Sequence, residues 1–233
     1  MDNKNEQPEF DRYATQYREL HNASIAASGE ESKYFAEYKA KVAMVELGEA
    51  AQAPISVLDF GTGIGGSIGP LRRALPNAVL HGADISSESV AMAQERHGDH
   101  AIFSVIADDK LPYADASFDM VFVACVYHHI PVEQRGHWTT EIHRVLKPGG
   151  HILVFEHNML NPLTMKVVRD CAFDEDAILL PRRELLDLVG QPFNEVRARY
   201  IVFFPKTLAF LRSAERSLWW LPLGAQYYVH ARA

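Results

Sequence analysis

The residues of this chain best placed to do chemistry begin in Val57-Leu58-Asp59-Phe60-Gly61-Thr62-Gly63-Ile64-Gly65-Gly66, where an apolar run passes into an acid and then a glycine-rich turn opening a helix. Glycines there let a ligand approach the backbone, and the start of the following helix presents N–H groups with no intrahelical partner. The chemistry implied is nucleotide-cofactor binding. The turn alone leaves the cofactor open, because Gly61, Gly63 and Gly66 also satisfy the dinucleotide spacing G-x-G-x-x-G. A second reactive group is Tyr127-His128-His129 with Glu156-His157-Asn158. Histidine titrates near neutral pH and suits removal of a proton from a hydroxyl or ring nitrogen. His128 is the first candidate for a general base or substrate-orienting group, His129 and His157 follow, and a structural hydrogen bond is the alternative for each. A Glu156–His157 pair that only shapes a pocket is a further reading. Two histidines with a carboxylate could hold a metal, but this spacing is no ligand motif and no metal is expected.

The elements that must position these groups follow from hydrophobic periodicity. Strands are expected at about 55–60, 78–84, 101–107, 118–124 and 149–156, with helices at about 65–75, 86–97 and 132–146. Continuous apolar strands alternating with amphipathic helices imply a doubly wound, mostly parallel α/β sheet covered on both faces. Pro76-Asn77 ends the first crossover helix, and Lys147-Pro148-Gly149-Gly150 stops the helix that begins after Pro131. Asn161-Pro162 reads as the N-cap and first residue of another helix, followed by a helix near 182–189 and strands near 194–204 and 225–232. Between the last two strands, Leu208, Leu211, Ala214, Leu218 and Leu221 fall on one helical face. Ahead of the sheet, residues 8–50 carry helical stripes through Phe10, Tyr13, Tyr17 and Leu20, and through Tyr34, Phe35, Tyr38, Val42 and Val45.

In such a sheet, ligands bind outside the carboxyl ends of the strands where the winding reverses. Asp59 closes the first strand, Asp84 the second, and Asp108 follows the third. A carboxylate roughly 20 residues beyond the glycines is placed to accept ribose hydroxyls. Asp84 holds that position, and it can also cap the helix that follows.

Four segments in order now resemble the class I S-adenosylmethionine-dependent methyltransferases: VLDFGTGIGG the family's first motif, HGADIS its acidic second-strand motif, IADDKLPYADASFDMVFVACVYHHI the stretch from the adenine-binding acid to the fourth strand, and HRVLKPGGHILVFE the lead into the fifth. The resemblance covers residues 55–156, under half the chain. It implies a seven-stranded sheet whose last strand is antiparallel. It further implies that Asp59, Gly61, Thr62, Gly63 and Gly65 line the methionine part of S-adenosylmethionine, that Asp84 holds its ribose, that Ile85 packs on the adenine, and that Asp108 and Asp109 flank the adenine amino group. The donor carries an ammonium and a sulfonium but no phosphate, which suits an acid beside the turn. An NAD(P)-dependent oxidoreductase is the alternative on the same fold, and a non-catalytic S-adenosylmethionine-binding protein is another. About 55 residues ahead of the first strand, and the Ser117-Phe118-Asp119 and Lys147-Gly150 segments, stand against the oxidoreductase.

Composition bounds the rest. The 233 residues fit one domain, 1–233, with a helical lid at 1–50, a cofactor core at 51–156 and substrate-region elements with the last strands at 157–233. A net charge of −7 lacks the basic footprint of a nucleic-acid enzyme. Cys125 and Cys171 lie far apart without ligand spacing, no apolar run approaches the roughly 20 residues of a membrane span, and the N-terminus has no apolar leader core. A cytoplasmic protein methylating a small molecule is expected, at oxygen first and nitrogen or carbon next. A lipid-linked acceptor is compatible with Leu218-Trp219-Trp220-Leu221-Pro222-Leu223, although packing of those tryptophans on the sheet is the commoner outcome. Tyr17 and Trp219 are expected to shape the acceptor site, while Asp174 and Asp176 read as solvated and Cys171 as a small buried residue. The oligomeric state is left open.

Overall fold

A computed structural model of the chain describes residues 30–171 and 176–233, so the stripe through Phe10, Tyr13, Tyr17 and Leu20, and Asp174, lie outside the described residues. Helix α1 (Ser32–Leu47) ends at Gly48, whose φ of +59° turns its N–H back onto the carbonyls of Met44 and Val45. Its most buried positions are Lys39, Ala40, Ala43 and Leu47, whereas Val45 is exposed. The inward face is therefore rotated from the expected stripe. Two alanines let the helix lie close to its neighbours, and a lysine goes inward with them.

Seven strands follow: β1 (Ser56–Phe60), β2 (Val79–Asp84), β3 (Ala101–Val105), β4 (Phe118–Ala124), β5 (Leu146–His157), β6 (Asn194–Ile201) and β7 (Gln226–Arg232). They form one sheet in the order β3-β2-β1-β4-β5-β7-β6. The first five are mutually parallel, and β7 runs antiparallel to both β5 and β6. The winding reverses between β1 and β4, so the crevice for a ligand lies at their carboxyl ends.

Helices α2 (Ile68–Ala74), α3 (Ser87–His97), α4 (Arg135–Val145), α5 (Pro162–Arg169) and α6 (Arg182–Val189) complete the frame. Alternate residues of each central strand feed two cores. Leu58, Val121, Val123, Ile152 and Val154 face one core, with Ile142 of α4 and Leu185 of α6. Val57, Met120, Phe122, Leu153 and Phe155 face the other, with Ala43 of α1 and Leu71 of α2. Burial on both faces is why these strands read as unbroken apolar runs.

The structure shifts several expected boundaries. Helix α2 starts at Ile68 rather than near 65, because Gly61, Gly63 and Gly65 take φ of +71°, +50° and +80° and cannot enter a right-handed helix there. Strand β5 starts at Leu146, and Lys147–Gly150 form an irregularity inside it, between the pairs Phe118–Leu146 and Met120–His151. Gly149 N–H donates to Ala233 O at 2.8 Å, and Ala233 N–H to Gly150 O at 3.0 Å, which ties down the chain end. Strand β6 stops at Ile201 because Val202 takes a φ of +60°.

The largest departure is the segment 206–217, a 3₁₀ helix interrupted by non-helical backbone at Leu208. Its expected apolar face does not pack: Leu208, Leu211 and Ala214 are exposed, and Glu215 is its buried residue. Trp220 is exposed, against the expectation that it packs on the sheet, whereas Trp219, though 47% exposed, lies with its ring 5.7 Å from the Arg199 guanidinium of β6.

Candidate active site

The glycine turn is held by its own backbone. Gly61 and Thr62 N–H both donate to Ala83 O, at 2.8 and 3.1 Å, and Thr62 Oγ1 donates to Asp59 Oδ2 at 2.8 Å. At Gly61 a Cβ would stand 2.5 Å from Val126 Cγ2, so the turn after β1 lies directly against the residue that precedes the histidines. Gly63 N–H donates to one oxygen of Asp84 at 2.8 Å and Ser86 N–H to the other at 2.9 Å. Asp84 thus pins the turn to the start of α3, where Ser86 Oγ caps the helix by accepting from Ser89 N–H at 3.0 Å. Ile85 is exposed beside Asp84, as are Asp108 and Asp109 in the loop after β3.

Asp59 is buried beneath the turn. Burial pushes its carboxyl up to about 7, and nearby Asp84 adds to the rise, while the Thr62 hydroxyl and the Lys39 ammonium pull the other way. An acid so raised is poised to ionise when a cation arrives.

On the other side of the Gly61–Val126 contact lies a cavity of about 510 Å³. Its walls come from Tyr34, Phe35 and Lys39 of α1, from Ile64 and Gly66 of the turn, and from Cys125, His128 and His129 after β4. His157 at the end of β5, the start of α5, residues 202–205 and Gln226 of β7 close it. Asp59, Asp84, Ile85, Asp108 and Asp109 do not line it. The site therefore has an acidic edge along β1–β3 and a histidine-bearing chamber at β4–β5, joined at the glycine turn.

The three candidate histidines are brought together. His128 and His129 have ring centroids 4.1 Å apart, and His128 and His157 5.2 Å. The carboxylate partner differs from the expected one: Glu156 pairs with His128, not His157, because neighbouring residues on a strand point to opposite faces. His128 Nδ1 lies 2.6 Å from Glu156 Oε2, both side chains are buried, and Tyr127 N–H donates to Glu156 Oε1 at 2.9 Å. Burial opposes ionisation of Glu156, but the charges and hydrogen bond of His128, with His157 and His129 behind it, outweigh that and hold the acid below its usual range. An ionised Glu156 accepts the Nδ1 proton, which assigns Nε2 as the basic nitrogen of the neutral ring.

Three residues of the chamber were not legible as functional. Lys39 Nζ donates to Cys125 Sγ at 3.1 Å, Gln226 Nε2 donates to the same sulfur at 3.7 Å, and Gln226 Oε1 has no partner among the described residues. The available signals were faint: a lysine on the apolar side of α1, and a cysteine between β4 and the histidine pair. Trp219 lies outside the cavity wall, and Asp176 is exposed.

Residues 57–150 match the methyltransferase domain family. The fatty-acid O-methyltransferase of Mycolicibacterium smegmatis is 34% identical over 108 residues, covering 45% of this chain and 39% of the relative. The demethylmenaquinone methyltransferase of Thermotoga maritima is 32% identical over 157 residues, covering 67% of this chain and 62% of the relative. The matches span 35% to 62% of the length of the curated relatives. A solved S-adenosylmethionine-dependent methyltransferase from Thermotoga maritima superposes with a TM-score of 0.65 at 16% identity, covering 96% of this chain and 97% of that one. The glycine turn and its neighbours also suit that donor, since carboxylates stand ready for its cations and hydroxyls. With its motifs in order and its last strand antiparallel, the chain carries a class I S-adenosylmethionine-dependent methyltransferase domain, matched over residues 57–150.

Proposed function

We propose that this chain transfers the methyl group of S-adenosylmethionine to a small molecule held in the chamber at the ends of β4 and β5, with oxygen the favoured acceptor atom and nitrogen or carbon next. The observation that carries the proposal is the buried His128–Glu156 pair on the chamber wall, immediately after the residue that contacts the glycine turn. When bound, the donor supplies a sulfonium methyl already activated for displacement, so the chain's work is alignment, exclusion of water and removal of an acceptor proton. His128 Nε2 takes that proton while Glu156 fixes the ring tautomer; His129 and His157 are the alternative bases. Asp59, Gly61, Thr62, Gly63 and Gly65 hold the methionine part, Asp84 the ribose, and Ile85, Asp108 and Asp109 the adenine.

The division into a lid at 1–50, a core at 51–156 and a substrate region at 157–233 is supported by the chamber, whose walls come from α1, from the core and from residues 157–226. Relatives named for fatty-acid and demethylmenaquinone methylation support an acceptor with an apolar body, and the chamber's Tyr34, Phe35, Val202 and Phe203 suit one. A net charge of −7 disfavours nucleic acid. The two free cysteines fit a reducing compartment, and we place the protein in the cytoplasm. The test is incubation with methyl-labelled donor and extracts of the source cell. A labelled small molecule formed by the parent and lost in His128→Ala supports the reading; donor binding without any labelled product would favour a non-catalytic binding protein, and tight NAD binding would sink it.

A further inference from the structure

The segment 206–223 is inside out for a soluble protein. Two of its charged side chains, Arg212 and Glu215, turn inward: Arg212 Nη2 donates to Glu30 Oε1 at 2.6 Å and its guanidinium lies 4.4 Å from the Tyr34 ring centroid. Glu215 Oε1 accepts from Phe203 and Phe204 N–H at 3.0 and 3.1 Å, and Oε2 from Tyr38 O–H at 2.8 Å. Its large apolar residues point out, with Phe210 76% and Trp220 60% exposed. The Trp220 indole N–H is satisfied locally by Ser217 O at 3.1 Å, which leaves its hydrocarbon edge to the surroundings. Isolated exposed hydrophobes are ordinary, whereas a contiguous patch marks an interaction surface.

This surface is continuous with a second apolar point. Asn161 Nδ2 donates to Leu223 O at 2.7 Å, and Asn158 Nδ2 to Pro222 O and Gly224 O at 3.1 and 2.7 Å, which fastens the loop carrying Leu160, 66% exposed, to the end of the segment. Both halves also line the chamber, through Leu163 and Val167 on one side and residues 202–205 on the other. Within 206–223 the exposed charges, Lys206 and Arg216, are both cationic in a protein of net charge −7, and beyond the fastened loop Lys166 and Arg169 are exposed together with the acids Asp170 and Asp176.

Resting on the methyltransferase reading, we propose that this pole docks on an anionic phospholipid bilayer, from which an amphiphilic acceptor enters the chamber. Exposed tryptophan and phenylalanine on a segment that also exposes lysine and arginine are the side chains that settle at a headgroup boundary. Among the described residues no helix is long and apolar enough to cross a membrane, so the contact is one of lying on the surface. A second copy of the chain is disfavoured as occupant, because a two-fold contact would set Lys206 and Arg216 against their own copies. Anionic headgroups neutralise them.

The test is flotation of the full chain with vesicles of phosphatidylcholine alone or mixed with phosphatidylglycerol. Binding should require phosphatidylglycerol, weaken with added salt and shift tryptophan emission to the blue. Lys206→Gln should cost about fivefold in partitioning, and Phe210→Glu or Trp220→Glu more, while S-adenosylmethionine affinity by calorimetry stays that of the parent. Absence of vesicle binding, binding that ignores phosphatidylglycerol, or variants that bind like the parent would overturn the proposal. So would a Trp220-dependent dimer in sedimentation without lipid binding. Loss of the underlying methyltransferase reading would appear separately, as failure of the parent to bind S-adenosylmethionine.

Discussion

The ammonium of Lys39 and the sulfur of Cys125 lie 3.1 Å apart on the wall of the chamber, and Lys39 is buried. A buried ammonium needs an opposite charge, and among the described residues its one hydrogen-bond partner is this thiol. Burial alone would raise the thiol's pKa, but Lys39 and then His157 outweigh it and bring Cys125 down to about 6. Near neutral pH the sulfur is therefore held as thiolate. The backbone holds the sulfur there at some cost, since Cys125 takes a φ of +60° at the turn out of β4.

The first prediction is that Cys125 reacts as a thiolate. Its alkylation by iodoacetamide should reach half its maximal rate near pH 6, where the lowered thiol titrates. Lys39→Met should move that midpoint toward the ordinary range of about 8.5 and slow labelling at pH 7 by roughly tenfold. Cys171 is buried and serves as the slow internal control. Identical pH profiles for the parent and Lys39→Met would remove the ion pair.

The second concerns Glu156, whose carboxylate fixes the His128 tautomer. Glu156→Gln can still accept from Tyr127 N–H but places an amide donor near Nδ1, favouring the proton on Nε2. Methyl transfer should then fall by about 10²–10⁴-fold, as for His128→Ala, with donor affinity little changed. Full loss in His129→Ala or His157→Ala with none in His128→Ala would move the base, and near-parent rates in all three would leave catalysis to proximity alone.

The third tests the close approach of the turn to β4. Gly61→Ala meets a φ of +71° and an overlap at 2.5 Å with Val126 Cγ2. The dihedral alone should cost about 1–3 kcal/mol, with the overlap added. Val126→Ala in the same chain should recover only the overlap, read as a partial return of the denaturation midpoint. Complete recovery would mean that the backbone conformation costs nothing.

These predictions also mark what was readable in advance. The glycine turn, Asp84 at the end of the second strand and the positions of the first five strands are local or periodic features, and parallel strands buried on both faces announce themselves as apolar runs. The partner of Glu156 was missed because period two was not applied across Glu156 and His157. Lys39 was missed because a lysine on a helix reads as solvated until a thiol on another element is known to meet it. The outward face of 206–217 is a tertiary decision, made by Glu215 reaching the amides of Phe203 and Phe204 and by Arg212 reaching Glu30. A helical wheel cannot see those partners.

The fourth prediction concerns Asp84. Its two bonds to the N–H groups of Gly63 and Ser86 shape the turn, and the same carboxylate is proposed to hold the donor's ribose. Asp84→Ala should weaken S-adenosylmethionine by roughly 2–4 kcal/mol in calorimetry, the loss of a charge-assisted pair of hydrogen bonds. Unchanged affinity in a folded variant would take the ribose from Asp84.

The last follows from Asp59, whose folded-state pKa of about 7 stands above the ordinary carboxyl value of 3.8 because it is buried. Between those values the folded chain binds more protons than the unfolded one, so without donor its stability should fall as pH rises through that window, by at most about 4 kcal/mol. Asp59→Asn should flatten this slope in a series of denaturation curves. Donor binding has the opposite sign: a cation beside Asp59 favours the carboxylate, so affinity should strengthen between about pH 6 and 8, with proton release below pH 7 detectable as a buffer-dependent heat. An affinity that is flat with pH in the parent, or equally sloped in Asp59→Asn, would separate Asp59 from the donor's cationic end and leave it as a structural partner of Thr62.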